Sequence, residues 1–168
     1  MIIIVDGVNA DQFKGLLGQV FELRARVFKD RLGWEVKVEN GQERDQFDDL
    51  FPTHVVSVND DGQVVGAMRL LQTTGPNMLA DVFHAILQGD SAPRSPLIWE
   101  ATRFCVDTNV LKGRKCCNSI SYVTSEVMVG AFEYAREAGV EDAVAVIDPI
   151  MNRVLKRSCN APYDYLGK

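Results

Sequence analysis

The sequence predicts a single α/β domain whose sheet is antiparallel or mixed, and three observations support this fold class. The chain has 168 residues and 46% of them are hydrophobic, which is enough for one substantial core and too little for two ordinary domains. Runs rich in β-branched residues at Thr53–Val58 and 63–71 flank turn residues at 59–62, which predicts an antiparallel hairpin. Residues before and after this hairpin repeat apolar positions at helical spacing.

The elements before the hairpin are predicted to be a strand and a long helix. The run Ile2–Val5 is β-branched and ends at a turn, as a first strand does. A buried helical stripe follows, with Asn9 or Asp11 as its cap and Gly33 as its end. Between residues 33 and 52 the periodicity disappears, and a structureless loop of that length in a compact domain is usually functional or mobile.

The elements after the hairpin alternate between helices and strands. They are a short helix at 78–87, a strand at 97–106, a helix from Ser119 or Ser121 to 138, a strand at 142–147 and a helix at 149–159. The side chains of the long helix that are predicted to face the core are Val123, Val127, Phe132 and Ala135. Asp148 before Pro149 is a typical helix start, because aspartate caps free N–H groups and proline fits the first turn.

Charge and composition exclude several classes of function. The formal net charge of −5 argues against general nucleic-acid binding, which needs a broad basic field. The first apolar run has about four residues, far short of the roughly 20 that cross a membrane. We therefore expect a cytoplasmic protein without a membrane span.

The cysteines and histidines indicate no metal site. Cys105, Cys116, Cys117 and Cys159 form no CxxC pair and have no histidine near enough to complete a finger. We expect them to be reduced thiols, since a cytoplasmic chain has little use for a disulfide. His54 and His84 lie near no acid or nucleophile pattern and are expected to be structural.

The segment between the first helix and the hairpin contains residue types that a helix does not require. Arg24 and Phe28 are four residues apart and share a helix face. Trp34 follows the helix end, and Asp45 and Asp48 lie in the predicted loop. Carboxylates neutralise positive charge and aromatic faces attract it, so this segment predicts a site for a cationic, aromatic-containing ligand.

These residues are part of a longer pattern that closely resembles the acyl-homoserine-lactone synthases, the bacterial enzymes that make quorum-sensing signals. The pattern consists of Arg24, Phe28, Trp34, Asp45, Asp48, Arg69, Phe83, Glu100 and Arg103. The segments LRARVFKDRLGW, RDQFD, MRLLQTTGPNML and SPLIWEATRF are also similar to that family.

The resemblance implies a GCN5-related N-acyltransferase-like fold, a mixed and mostly antiparallel sheet with helices on both faces. In that fold a thioester donor lies in a cleft between two central strands. Family members continue with further strand beyond this point. Residues 1–168 are therefore expected to form a single acyltransferase domain that lacks the family's C-terminal strand region.

The resemblance also implies a two-step reaction in which S-adenosylmethionine is a substrate and no cofactor is needed. The methionyl amine attacks an acyl thioester on acyl carrier protein or coenzyme A, and the methionyl carboxylate then displaces methylthioadenosine to close the lactone. An amine that arrives as ammonium must first lose a proton to a base, directly or through a water. We assign that catalytic role to Glu100, with Asp45 and Asp48 in the loop as electrostatic partners of the sulfonium or the ammonium. A backbone N–H beside the strand of Glu100 would stabilise the oxyanion.

The remaining residues of the pattern are assigned to substrate binding: Arg24, Phe28, Trp34, Arg69, Phe83 and Arg103. The alternatives are that Glu100 is a rim charge and that Phe28 and Trp34 are plain core residues. The arginines would then tie the loop to the core through ion pairs with Asp45, Asp48 and Glu100. Glu100 and Arg103 point to opposite faces of an ideal strand, and a bulge would bring both to one face.

Two further positions concern the acyl donor. Arg153, Lys156 and Arg157 share a face of the last predicted helix, and the resemblance implies that such residues dock the acidic acyl carrier protein; the alternative is a solvated helix face. Ala145 corresponds to a family position where threonine accompanies 3-oxo acyl chains. Alanine offers no donor, so we expect a preference for unsubstituted chains, unless Ala145 only packs the strand and another hydroxyl serves.

Two other functions remain open from the sequence. One is an N-acyltransferase that acylates another amino acid without lactonisation, which would lose the acidic and aromatic site. The other is a non-catalytic small-molecule-binding relative, which would lose Glu100 or the arginines. The sequence retains all of these residues.

Overall fold

Strands form the centre of this structure, a computed structural model that describes residues 1–111, 120–158 and 163–166, without the side chains of 120, 157 and 158. The described strands are β1 (Ile2–Val5), β2 (Val38–Glu39), β3 (Gln42–Glu43), β4 (Thr53–Val58), β5 (Val64–Gln72), β6 (Ile98–Val106) and β7 (Asp142–Val144). One sheet has the order β1-β4-β5-β6-β7, and β2 pairs with β3 as a separate ribbon. Only the β6–β7 pair of the five-stranded sheet is parallel. The predicted mixed, mostly antiparallel sheet is confirmed.

The helices cover both faces of this sheet. They are α1 (Lys14–Arg24), α2 (Met78–Asp81), α3 (Thr108–Leu111), α4 (Ile120–Glu137) and α5 (Pro149–Ser158), with 3₁₀ turns at Ala10–Phe13, Gln46–Leu50 and His84–Leu87. α1 continues directly into a π-helix at Ala25–Arg31. Gly33 follows with a φ of 67°, the left-handed conformation in which glycine commonly ends a helix.

Each face of the sheet has its own apolar core. On the α1 face, α1 and the π-helix contribute Val20, Leu23, Val27 and Phe28, which pack against Val56 and Ala67 of the sheet. On the α4 face, Val123 and Val127 of α4 pack against Val55, Met68 and Leu70. Helices on both faces are what the resemblance to the acyltransferase fold implied.

Three details differ from the sequence prediction. Asn9 does not cap the first helix, because its side chain accepts a hydrogen bond from the Asp6 N–H at 2.9 Å and donates one to the Ile4 carbonyl at 3.1 Å. It therefore stabilises the turn after β1. Phe132 is 43% exposed, because the buried stripe of α4 continues through Ala131 instead. By contrast, the predicted cap of α5 is confirmed, because the Asp148 side chain accepts a hydrogen bond from the Met151 N–H at 2.6 Å.

The predicted structureless loop is the third difference. Residues 33–52 contain the β2–β3 ribbon and the 3₁₀ turn Gln46–Leu50. Asp45 and Asp48 close that turn as a capping box: the Asp45 side chain accepts from the Phe47 N–H at 3.0 Å, and the Asp48 side chain accepts from the Asp45 N–H at 2.9 Å. Periodicity was absent because the ribbon is short and the turn is capped by charged side chains, not because the segment lacks structure.

A bulge in β6 confirms the expectation for Glu100 and Arg103. The pairing with β5 shifts between Ala67 and Arg69, whose partners are Cys105 and Thr102, so β6 contains one extra residue there. Arg103 lies in this bulge with a φ of 52°. An extra residue re-aims the side chains that follow, and both Glu100 and Arg103 reach Met78.

Candidate active site

Six charged side chains meet on the α1 face of the sheet, and we call them the charged cluster. Its members are Arg24 of α1, Glu43 of β3, Asp45 and Asp48 of the capped turn, Arg69 of β5 and Arg103 of β6. Three guanidinium groups meet three carboxylates, so the formal charges cancel. This balance matters because an unpaired buried charge is strongly unfavourable.

Each carboxylate of the cluster contacts at least two arginines. Asp48 lies 2.7 Å from the Arg24 Nη1 and 2.8 Å from the Arg69 Nη1. Asp45 accepts from Arg69 at 2.6 Å and from Arg103 at 2.8 Å. Glu43 lies 2.5 Å from the Arg24 Nε and 3.2 Å from the Arg103 Nη2. The contacts form one continuous network across four segments of the chain.

Burial divides the cluster into an interior and a rim. Arg24, Arg69 and Glu43 are each 1% exposed, whereas the side chains of Arg103 and Asp45 are 12% and 18% exposed. Burial alone would favour a neutral Asp48, but the hydrogen bonds and charges of Arg24 and Arg69 hold its pKa well below the usual range. Asp48 therefore remains ionised, and the Asp45–Arg103 pair is the most exposed part of the cluster.

Two stacked aromatic rings lie beside this rim. The Phe28 and Trp34 rings are 5.1 Å apart with an interplanar angle of 8°. Phe28 is buried at 2% exposure, while Trp34 is 40% exposed. The Arg103 guanidinium lies 5.6 Å from the centre of the Phe28 ring, which joins the stack to the charged cluster.

Glu100 lies next to the cluster but is not part of it. Its carboxylate is completely buried and accepts hydrogen bonds from the backbone N–H groups of Met78 at 2.8 Å and Leu79 at 2.6 Å. Burial raises the pKa of Glu100 above its ordinary value, although these N–H groups and Arg69 oppose the shift. The Met78 sulfur accepts from Arg69 at 3.3 Å and Arg103 at 3.6 Å, so Met78 separates Glu100 from the cluster.

The alternative in which Glu100 pairs with an arginine is wrong for the described residues. Glu43 occupies that role, and sequence reasoning missed it. Glu43 lies two positions before Asp45, but the family pattern had already supplied Glu100 as a third carboxylate for the three arginines. Only the folded ribbon brings Glu43 to Arg24, 19 residues away, and to Arg103, 60 residues away.

β6 and β7 separate after a short parallel pairing. Their paired residues run from Ile98 with Asp142 to Glu100 with Val144, where β7 ends. β6 continues to Val106. Beyond Glu100 the edge of β6 has no pairing with β7 within the described residues, and we call this unpaired edge the opening.

The comparisons with known proteins agree with this geometry. The family model described as "Autoinducer synthase" matches residues 9–168. The chain belongs to the autoinducer synthase family. A probable acyl-homoserine-lactone synthase from Sinorhizobium fredii is 42% identical over 142 residues, 84% of this chain and 68% of that protein.

Solved structures of autoinducer synthases share the fold. The AHL synthase LasI has a TM-score of 0.81 and 36% identity, over 94% of this chain and 76% of its own. A CoA-dependent acyl-homoserine lactone synthase, BjaI, solved with SAM and isopentyl-CoA, has a TM-score of 0.81 and 25% identity, over 94% and 71%. A putative N-acetyltransferase from Lactobacillus plantarum, 15% identical with a TM-score of 0.56, shows likeness of fold alone. The predicted family, the acyltransferase class and the acyltransferase-like fold are confirmed.

Two further residues that were predicted to bind substrate in this autoinducer synthase, Phe83 and Ala145, lie near β7. Phe83 is partly buried and packs with Met78 and with Val144. Ala145 directly follows β7 and is exposed, so it lies past the strand in which it was predicted.

The predicted docking residues lie on α5. Arg153 and Lys156 are exposed there, and Lys156 also contacts the Tyr165 ring. The Arg157 side chain lies outside the described residues, as do Cys116, Cys117 and Cys159. Cys105 is a buried free thiol whose pKa burial raises to about 12.

The described part of this autoinducer synthase has neither a metal-binding cluster nor a membrane-spanning helix. Among those residues, no group of histidine, cysteine or acidic side chains is arranged to hold a metal ion. No helix in the described ranges has the length and apolarity to cross a membrane.

Proposed function

We propose that this chain makes an N-acyl-homoserine lactone from S-adenosylmethionine and an acyl thioester, by N-acylation followed by lactonisation. The observation that carries the proposal is the Asp45–Arg103 pair at the rim of the charged cluster, 2.8 Å apart and beside the Phe28–Trp34 stack. A related synthase has been solved with SAM and isopentyl-CoA, which supports the same substrate classes here.

The rim matches the charges of the amino-acid end of S-adenosylmethionine. Asp45 accepts hydrogen bonds and suits the ammonium, whereas Arg103 donates them and suits the carboxylate. The exposed Trp34 face suits the sulfonium and the adenine, because aromatic faces attract cations and stack on flat rings. The interior pairs of the cluster hold these two groups in place, since Arg24, Arg69 and Asp48 fix Asp45 and its turn.

Glu100 is the base in this mechanism. The arriving ammonium must lose a proton before its nitrogen attacks the thioester carbon. Burial raises the pKa of Glu100, which makes its carboxylate a better proton acceptor near neutral pH. Because the carboxylate is completely buried behind Met78 and Leu79, a water carries the proton between the amine and Glu100.

The acyl donor enters the opening between β6 and β7. A backbone N–H at this opening stabilises the oxyanion that forms at the attacked carbonyl. Ala145 follows β7 at the same opening and offers no hydrogen-bond donor, so unsubstituted acyl chains react better than 3-oxo chains. We place the reaction in the cytoplasm, because metabolism supplies both substrates there.

The test is incubation of the protein with S-adenosylmethionine and matched coenzyme A and acyl carrier protein thioesters, with the products measured by mass spectrometry. The panel includes 3-oxo and unsubstituted donors of equal length. An acyl-homoserine lactone with methylthioadenosine supports the proposal. An N-acyl amino acid without the lactone overturns the second step, and preference for the 3-oxo donor overturns the role of Ala145.

The role of Glu100 has its own prediction. Glu100→Gln slows acyl transfer by roughly 10²-fold or more, because general base catalysis contributes that much. The measurement is the single-turnover rate at saturating substrates, with circular dichroism to show that the fold is retained. Unchanged rates remove Glu100 from the mechanism.

The carrier-docking role is proposed for α5. Arg153→Glu with Lys156→Glu is expected to raise KM for an acyl carrier protein donor about tenfold or more and to leave KM for a coenzyme A donor nearly unchanged, since charge complementarity governs encounter with an acidic carrier. Lys37→Glu, a reversal at an exposed lysine of the ribbon segment, is the control. Equal effects on both donors exclude docking at α5.

A further inference from the structure

The π-helix Ala25–Arg31 places two arginines on one side of the chain. Hydrogen bonds in a π-helix run from residue i to i+5, and the helix is wider than an α-helix, so residues five apart lie closer to one face than they do in an α-helix. In an α-helix, by contrast, neighbours on a face are three or four apart. Arg26 and Arg31 are five apart and both point to the end of β6. The π geometry is therefore what aligns them.

Both guanidinium groups bind consecutive residues at the end of β6, and we call these contacts the arginine latch. Arg26 Nη2 donates to the Asp107 carboxylate at 2.9 Å. Arg31 Nη1 donates to the Val106 carbonyl at 3.1 Å and to the Thr108 hydroxyl at 2.7 Å. The latch joins segments that are 75 to 81 residues apart in the chain.

The β6 end of the latch is rigid. The Asp107 carboxylate also accepts from the N–H groups of Asn109 at 3.0 Å and Val110 at 3.1 Å, and the Asp107 N–H donates to the Val65 carbonyl at 2.8 Å. Its side chain is only 7% exposed. The arginines therefore attach the π-helix to a fixed point of the sheet.

The latch spans the two walls of the proposed adenosyl site. The π-helix contains Phe28, and its C-terminal end leads to Trp34, whose N–H donates to the Phe28 carbonyl at 2.8 Å. β6 contains Glu100 and Arg103. Since the arginines attach one wall to the end of the other, they control the distance from the Phe28–Trp34 stack to the rim pair.

We propose that Arg26 and Arg31 are positioning residues for S-adenosylmethionine, which hold the Phe28–Trp34 stack opposite the Asp45–Arg103 pair. This inference rests on the proposed function. The contacts of both arginines are to the end of β6 and not to the charged cluster, so they act through the groups that they position. Without the latch the π-helix is free to rewind towards regular α geometry, which turns Phe28 relative to Arg103.

The test compares two double variants of equal charge change. Arg26→Gln with Arg31→Gln removes the latch, and Lys29→Gln with Lys37→Gln removes two exposed positive charges that are not part of it. The measurements are calorimetric Kd for S-adenosylmethionine, KM for the thioester, Tm, and hydrogen–deuterium exchange of the amides at residues 25–34 without substrate. Arg26→Lys, which keeps a cation for Asp107, is the conservative variant.

We expect the latch variant to bind S-adenosylmethionine about tenfold more weakly, because the ring stack and the rim pair must hold the ligand together and depend on their relative position. KM for the thioester changes less than about twofold, and exchange at residues 25–34 accelerates. The single variant Arg26→Lys keeps the wild-type affinity. The control variant with Lys29→Gln and Lys37→Gln binds S-adenosylmethionine as the wild type does.

Two results overturn the inference. The first is an unchanged Kd in the latch variant, which together with a lowered Tm is the signature of a purely structural contact. The second is an equal loss of affinity in the variant with Lys29→Gln and Lys37→Gln. Failure of the proposed function is seen separately, as absence of S-adenosylmethionine binding to the wild type. In that event the inference about the substrate also falls, and the exchange data decide only whether the latch orders the π-helix.

Discussion

Both faces of the sheet have an apolar core, but only the α1 face also has the charged cluster. On the α4 face, Met68 and Leu70 of β5 pack against Val127. Arg69, between them in the same strand, points to the α1 face, where it is 1% exposed among carboxylates. One strand therefore supports an apolar core on one side and an ionised network on the other.

Apolar packing contributes mainly to stability, whereas the charged cluster contributes mainly to function. Apolar burial is non-directional and stabilises many arrangements of side chains. Buried ion pairs gain little over apolar residues of similar volume, because desolvation offsets their attraction. The charged cluster is thus not needed to hold the sheet together. It fixes the direction of Asp45 and Arg103, which an amino-acid ligand requires.

The largest expected effect comes from breaking the cluster at its centre. Asp48→Ala leaves Arg24 and Arg69 without their shared carboxylate and is expected to lower the free energy of unfolding by about 3–5 kcal/mol. Val127→Ala on the α4 face is the matched substitution and should cost about 2 kcal/mol. Urea unfolding of both variants measures the difference. A smaller loss for Asp48→Ala than for Val127→Ala contradicts the contrast between the faces.

Acid sensitivity is expected to belong to the charged side as well. His54 of β4 is 4% exposed, and burial lowers its pKa to about 4, with the arginines Arg24, Arg69 and Arg44 adding to the shift and Asp48 opposing it. Unfolded histidine has a pKa near 6.5, so the unfolded state binds more protons between these values. Stability therefore falls as the pH drops from about 6.5 to 4, by about 3 kcal/mol.

The measurement is the free energy of unfolding at several pH values across this window. His54→Gln should flatten the decrease, whereas His84→Gln, at an exposed histidine, should leave it as in the wild type. Asp48, whose pKa is depressed, adds a further loss only below the ordinary carboxyl pKa of about 4. An identical slope in all three proteins would exclude His54 as the cause.

The smallest expected effect concerns the backbone where the cluster meets β6. Arg103 has a φ of 52°, which costs a residue with a Cβ about 1 kcal/mol and glycine almost nothing. Arg103→Gly and Arg103→Ala remove the same guanidinium, so their difference isolates the backbone. We expect the glycine variant to be more stable by about 1 kcal/mol in urea unfolding. Greater stability of the alanine variant would show that the bulge is not strained.

The sequence by itself determined the elements whose signals are local. Three such elements depend only on neighbours in the chain. They are the hairpin of two β-branched strands around residues 59–62, the buried stripe of α4 through Val123 and Val127, and the Asp148 cap of α5. The family pattern also identified most of the charged cluster, and the odd spacing of Glu100 and Arg103 predicted the bulge. These signals are readable because helix and strand periodicities act over a few residues.

Only the tertiary structure decided which carboxylate meets which arginine. Glu43 reaches Arg24 and Arg103 because the β2–β3 ribbon folds over the sheet, while Glu100 turns to the N–H groups of Met78 and Leu79. The π-helix and the exposure of Phe132 were likewise invisible to periodicity. Charged side chains have no preferred neighbour in the sequence, and burial selects partners by geometry and charge balance across the whole fold.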